Sequence, residues 1–186
     1  SLFENHQYMS AEKVVQRLAD TVSKNGNLLL NIPVRGDGTI DEDEHEILVA
    51  LAGWMRINGE AIFGTGPWIR SGEGPTSLPS GALNERLAKP FTGQDVRYTR
   101  KNGDLYILIL GRLEPGPLHL AALKPNYLVP GFRPERIQLL GASGALPFMA
   151  DDSGTTIQLP GEIPGGFVPV LKVRGTGLVT PDGASY

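Results

Sequence analysis

A chain of 186 residues, 40% hydrophobic and 20% charged, has the composition of an ordinary globular protein. It has room for one large domain, or for a small domain plus part of another. A net charge of -3 carries no basic footprint for nucleic acid and no Lys/Arg run for an acidic membrane surface. Cysteine is absent, which excludes disulfides, thiol catalysis and cysteine-based zinc sites; no apolar run reaches the roughly 18 residues of a membrane span. Ser1-Leu-Phe-Glu-Asn-His6 shows neither the charged nor the apolar region of a signal peptide. Prolines and glycines crowd in after Ala61, where before it Pro33 is the single proline, and this shift marks a domain boundary.

Ser10 caps a helix expected to run to about Asn25, with Val14, Val15, Leu18, Ala19 and Val22 as its apolar stripe. Asn25-Gly26 stops it, with Gly26 free to turn left-handed. Leu28-Leu29-Leu30 follows without alternation and predicts a strand buried on both faces, as in a parallel sheet, ended by Pro33. Arg35-Gly-Asp-Gly38 is a turn, and Asp41 with Glu44 makes a box-like helix start that the acidic Glu42 and Asp43 reinforce. Ile47, Leu48, Leu51, Trp54 and Met55 form the second stripe, and Asn58-Gly59 ends it. Helix, strand and helix in this order make the repeating unit of a parallel α/β barrel.

Residues 69 to 88 are rich in Gly, Pro and Ser and predict a linker. Short strands follow at Val96–Arg100, Leu105–Leu110, Leu118–Ala122, Arg136–Leu140, Phe148–Asp151, Thr155–Leu159 and Val168–Val173. Lys101-Asn-Gly-Asp104 and Asp152-Ser-Gly154 are hairpin turns between them. The tail from Thr176 is expected to fray. The fold class read from this pattern is an α/β remnant, the end of a (β/α)8-like barrel, followed by an all-β antiparallel sandwich. Its parts are 1–68 (barrel end), 69–88 (linker) and 89–186 (sandwich).

Three stretches carry a family resemblance: Ser10-Ala-Glu with Leu18-Ala-Asp-Thr-Val-Ser-Lys-Asn-Gly-Asn-Leu-Leu-Leu-Asn31; Asp37-Gly-Thr-Ile-Asp-Glu-Asp-Glu44 leading to Gly53-Trp54; and Ile57-Asn-Gly-Glu-Ala-Ile-Phe-Gly-Thr65 with Pro67-Trp68. Together they resemble the α-L-fucosidases of glycoside hydrolase family 29. The strand pair at Tyr98 and Leu105-Tyr-Ile-Leu108, with Ile137-Gln-Leu-Leu-Gly141, resembles that family's C-terminal sandwich more loosely. The resemblance implies a retaining exo-hydrolase of terminal α-L-fucose. Its aspartate nucleophile and its acid/base, about 5–5.5 Å apart, lie upstream of the helix that starts after Ser10. No catalytic residue is therefore assigned here, and a missing N-terminal catalytic barrel segment is the expected partner, with a fucosylated glycan as substrate. No cofactor is implied, an exported enzyme (periplasmic or secreted) is, and a homo-oligomer stays open.

Ser1-Leu2-Phe3 is similar to an aromatic motif that flanks the sugar in the family, which makes Phe3 a candidate substrate contact. Strand ends at the C-terminal face of a barrel build its site, which adds Asn31 and Arg35. Against these stand a frayed terminus for Phe3, a turn cap for Asn31 and a solvated cation for Arg35. Asp37, Asp41 and Asp43 lack the ligand spacing of a calcium loop and read as turn and cap. Arg35-Gly36-Asp37 as an adhesion tripeptide is explained by the same turn. His6, His45 and His119 have no partners at ligand spacing, Ser143 lacks a nucleophile-elbow glycine, and Gly64-Thr-Gly66 lacks a third glycine. Trp54 is expected in the core, and Trp68 is expected to pack sandwich against barrel. A non-catalytic sandwich module for carbohydrate binding or oligomerisation is the alternative function.

Overall fold

The computed structural model describes residues 8–76, 89–126, 128–161, 164 and 166–179. Helix α1 spans Ala11–Ser23, and the Ser10 hydroxyl accepts from the Lys13 amide at 3.3 Å, the expected cap. The helix closes in a Schellman motif: Gly26 N donates to Thr21 O and Asn25 N to Val22 O. Asn25, not Gly26, takes the left-handed conformation, at φ 62°. Gly26 is there for space, since a Cβ would meet Thr21 Cγ2 at 3.0 Å. Helix α2 spans Glu42–Asn58 behind the Asp41 cap, whose Oδ1 accepts from Glu44 N at 2.9 Å. A 3-10 turn, Gly59–Ala61, carries the chain on.

The buried strand expected at Leu28–Leu30 is not formed. The segment joins no ladder, Leu29 is 93% exposed and Leu30 42%. Among the described residues no strand pairs with it to supply the backbone partners that an extended segment needs. The α2 stripe is also only partly covered. Trp54 is buried, but Ile47, Leu48, Leu51 and Met55 are half-buried, and Val49 is exposed. Of the expected helix–strand–helix order, the two helices are formed and the strand between them is not.

Eight strands follow among the described residues: β1 Gly66–Glu73, β2 Val96–Lys101, β3 Asp104–Ile109, β4 Gly116–Leu120, β5 Arg133–Leu139, β6 Phe148–Asp151, β7 Gly154–Leu159 and β8 Val170–Thr176. One sheet has the order β1-β2-β3-β8-β5 and the other β4-β7-β6, and every strand pairing is antiparallel. Strand β1 corrects the start of the expected linker, which opens as an edge strand through Glu73; residues 77 to 88 lie outside the described residues. The glycines that read as loop serve a bulge between Pro67 and Gly72. At Gly72 a Cβ would stand 2.2 Å from Val96 O, so only glycine lets β1 approach β2 there. The β2–β3 turn has two residues, Asn102 (φ 52°) and Gly103 (φ 84°), the pairing that a type I′ hairpin demands.

Strand β3 explains the layering. Leu105, Ile107 and Ile109 face the inter-sheet core with Leu118, Leu120 and Ile157. Tyr106 and Leu108 face the other way, onto Val15, Ala19 and Trp54 of the helices. The molecule therefore has three layers: helices, five-stranded sheet, three-stranded sheet. The segment buried on both faces is β3, an antiparallel strand, and not the leucine run. Polar ties dock the helices. Arg97 Nε donates to Asp20 Oδ1 at 2.6 Å, Gln16 Nε2 to Leu110 O at 2.7 Å and Thr99 Oγ1 to Ala61 O at 2.8 Å. Below the 3-10 turn, Lys172 Nζ reaches Glu60 at 2.6 Å and Asp104 at 3.2 Å. Burial pushes the Glu60 carboxyl up, but the hydrogen bonds from Lys172 and Tyr106 outweigh it and hold it below its ordinary value.

Trp68 sits between the sheets, edge-on to Tyr98 with ring centroids 4.9 Å apart, and its Nε1 donates to Leu178 O at 2.7 Å. It packs the sandwich on itself and not against a neighbouring domain. Leu178, expected to fray with the tail, is buried by the same contact.

Candidate functional site

The leucine run and the starts of both helices enclose an open cleft of about 400 Å³. It is lined by Tyr8, Met9, Val14 and Arg17 from the first helix and its lead-in, by Leu28, Leu29, Leu30, Asn31 and Pro33 from the leucine segment, and by Glu44 from α2. The ordering is local. The Ser10 cap fixes where α1 begins and so aims Val14 and Arg17 into the cleft. The Asp41 cap does the same for Glu44, one turn into α2. Tyr8 joins the two helix starts by donating its hydroxyl to Asp41 Oδ2. That hydrogen bond pushes the Tyr8 phenol up to about 12, helped by the acidic residues Asp43 and Glu44. The same bond, with the Glu44 amide, holds the Asp41 carboxyl below its ordinary value. A second, flatter hollow on the other side of Tyr8 runs along Ser10, Ala11, Asp43, Glu46, Ile47 and Ala50.

Of the three candidate contacts, Asn31 is exposed on the rim of this cleft. Arg35 is not among the residues lining it. It lies in the surface turn, where its NH2 group donates to Glu42 Oε2 at 3.1 Å and its backbone closes on Thr39. Phe3 lies outside the described residues. Asp37 accepts from Thr39 N and Thr39 Oγ1, and the backbone bond, then the hydroxyl, lowers its carboxyl. The acids of this turn are thus engaged as turn and cap. His45 is exposed, His119 Nδ1 contacts Thr156 Oγ1 at 3.0 Å on the smaller sheet, and Ser143 is exposed; His6 lies outside the described residues.

Tyr8, Arg17 and Glu44 line the cleft without having been singled out in the sequence. Glu44 read as part of a helix cap, and neither Tyr8 nor Arg17 falls in a recognisable pattern. Among the described residues Glu44 is the one carboxylate lining the cleft. Retaining glycoside hydrolysis needs two, about 5–5.5 Å apart, so the described cleft offers polar grip and an apolar wall but not that pair.

Comparison with known proteins identifies the relatives of the chain. Residues 2–60 match the family model described as Alpha-L-fucosidase. The chain is 30% identical over 174 residues to the alpha-L-fucosidase of Branchiostoma floridae, covering 90% of this chain and 33% of that protein. It is 31% identical over 168 residues to the tissue alpha-L-fucosidase of Homo sapiens, covering 88% of this chain and 31% of that one. Among solved structures, the alpha-fucosidase of Thermotoga maritima superposes with a TM-score of 0.68 at 26% identity, covering 92% of this chain and 36% of that one. The chain is homologous to the alpha-L-fucosidases, glycoside hydrolases of which it spans about one third.

Proposed function

We propose that this chain is the C-terminal portion of a retaining exo-α-L-fucosidase that removes terminal α-L-fucose from glycans. Its two helices close a catalytic barrel whose nucleophile and acid/base come from a preceding segment, and its sandwich braces that barrel. In such a reaction one carboxylate attacks the anomeric carbon while the other protonates the leaving oxygen, and water then releases the sugar with the roles reversed. Asn31 contributes a hydrogen-bonding amide at the fringe of the sugar site; Arg35 stands further out, and Phe3 is a further substrate contact.

The observation that carries this reading is Leu29. A side chain 93% exposed, inside an unbroken apolar run, in the segment where the family match falls, calls for a covering neighbour. The experiment is turnover of an aryl α-L-fucoside. The chain alone is expected to show none, and the chain expressed together with, or fused behind, the upstream segment of its gene is expected to show it. Robust turnover by the 186-residue chain alone overturns the assignment.

A closed inter-sheet core, from Val96 to Leu178, supports the second reading of a self-sufficient module that binds carbohydrate or a second copy. Calorimetric titration with fucose and fucosylated glycans separates the two, since heat at millimolar ligand from the chain alone supports the module.

A further inference from the structure

The sequence contains three Asn-Gly pairs, Asn25-Gly26, Asn58-Gly59 and Asn102-Gly103, and each ends an element of the fold. Asn-Gly is also the dipeptide most open to self-modification, because glycine lacks the side chain that shields its amide. The structure treats the three pairs very differently.

Asn25 and Gly26 are exposed, but the Gly26 amide is held by Thr21 O at 2.9 Å, and Thr21 fills the space beside its Cα. Asn58 and Gly59 are both buried. The Asn58 amide group donates to Trp54 O, Gly59 N donates to Met55 O, and Phe63 packs 3.2 Å from where a Cβ of Gly59 would stand. Asn102 and Gly103 are both exposed. The Lys101–Asp104 pair closes the ladder outside them, so the Gly103 amide falls in neither a ladder position nor a turn bond. Among the described residues nothing lies within 4 Å of a Cβ built on Gly103.

We propose that Asn102 is a site of spontaneous deamidation, and that the fold shields Asn25 and Asn58. In the reaction the Gly103 backbone nitrogen, having lost its proton to hydroxide, attacks Asn102 Cγ. A Cγ–N bond forms, the Cγ–Nδ2 bond breaks and its nitrogen leaves as ammonia with a proton taken from water, which closes a five-membered succinimide and restores the hydroxide. Water then opens the ring at one of its two carbonyls. One opening yields aspartate; the other yields isoaspartate, whose main chain runs through Cβ and Cγ. No electron is gained or lost overall. Either product puts a carboxylate next to Lys101, and isoaspartate lengthens a two-residue loop whose geometry sets the β2–β3 register.

The test is peptide mapping by mass spectrometry, with fragmentation that separates aspartate from isoaspartate, after incubating the intact folded chain at mildly alkaline pH. Conversion at Asn102 is expected to outpace that at Asn25 and Asn58 by about tenfold or more, because the shielded pairs react only after local opening. In strong denaturant the three pairs are expected to converge. The variant Asn102→Gly keeps the positive-φ turn and is expected to lose the dominant modification. Equal rates at the three pairs in the folded chain, a faster reaction at Asn25 or Asn58, or no conversion at Asn102 where the denatured chain converts, each overturns the proposal.

Discussion

The Trp54 indole donates its Nε1 hydrogen to the Val168 carbonyl at 3.0 Å, and Val168 sits at φ 43°, a left-handed conformation rare for a β-branched residue. Trp54 is 1% exposed and Val168 1%, so solvent does not reach this bond, which ties the entry of β8 to a helix 114 positions away in sequence. It is the bolt between the helical layer and the start of β8. Replacing Trp54 by phenylalanine keeps an aromatic ring in the core but leaves the carbonyl unpaired. The expected loss is about 1–3 kcal/mol, read by urea denaturation; a loss near zero removes the bolt from the account.

Asp20 offers a pH-dependent test of the same docking. Burial pushes its carboxyl up, but the bonds from Lys24 and Arg97 outweigh that and hold it below the ordinary 3.8. Since its folded pKa is the lower one, its contribution is present above about 3.8 and fades as pH falls through the folded value. Asp20→Asn is expected to cost about 2 kcal/mol near neutral pH. The gap to the unaltered chain should close toward acid pH. A gap that stays constant across that range contradicts the assignment.

Tyr8 tests the geometry of the cleft. With its phenol at about 12, the stabilising Tyr8–Asp41 bond is present below the ordinary 10.0 and is lost as pH rises through about 12. Ultraviolet titration of the chain against its Tyr8→Phe variant isolates this group. In Asp41→Asn the Tyr8 transition is expected to move down toward 10.0, and an unmoved transition shows that the two helix starts are not joined as described.

Much of the fold was legible in residues. Ser10 and Asp41 signalled their helices because a side-chain oxygen must satisfy the first free amides, and Asn102-Gly103 signalled its hairpin because few residues accept two left-handed steps. Strand β1 was hidden because Gly72 is needed for close approach at a bulge, and a bulge glycine looks like a loop glycine. The position of Trp68 was misread because its partners, Tyr98 and Leu178, are distant in sequence. The leucine run is the instructive case. Its composition describes a covered strand, whereas here Leu28 is half-buried and Leu29 and Leu30 stay exposed. As for the cleft, Asn31 was singled out as the end of a strand that is not formed and lines the cleft from a coil segment, whereas Tyr8 and Arg17 carry no pattern of their own and reach it through the way the two helix caps are set.

Backbone hydrogen exchange at Leu28, Leu29 and Leu30 reads out whether this run gains a strand partner from outside the chain. In the chain alone these amides are expected to exchange at close to the rate of an unstructured peptide, since no ladder holds them. Joined to its upstream segment, the same amides are expected to become as protected as those of β3. Strong protection in the isolated monomer, or continued rapid exchange in the joined protein, contradicts the view that this run is one strand of a barrel completed from outside the chain.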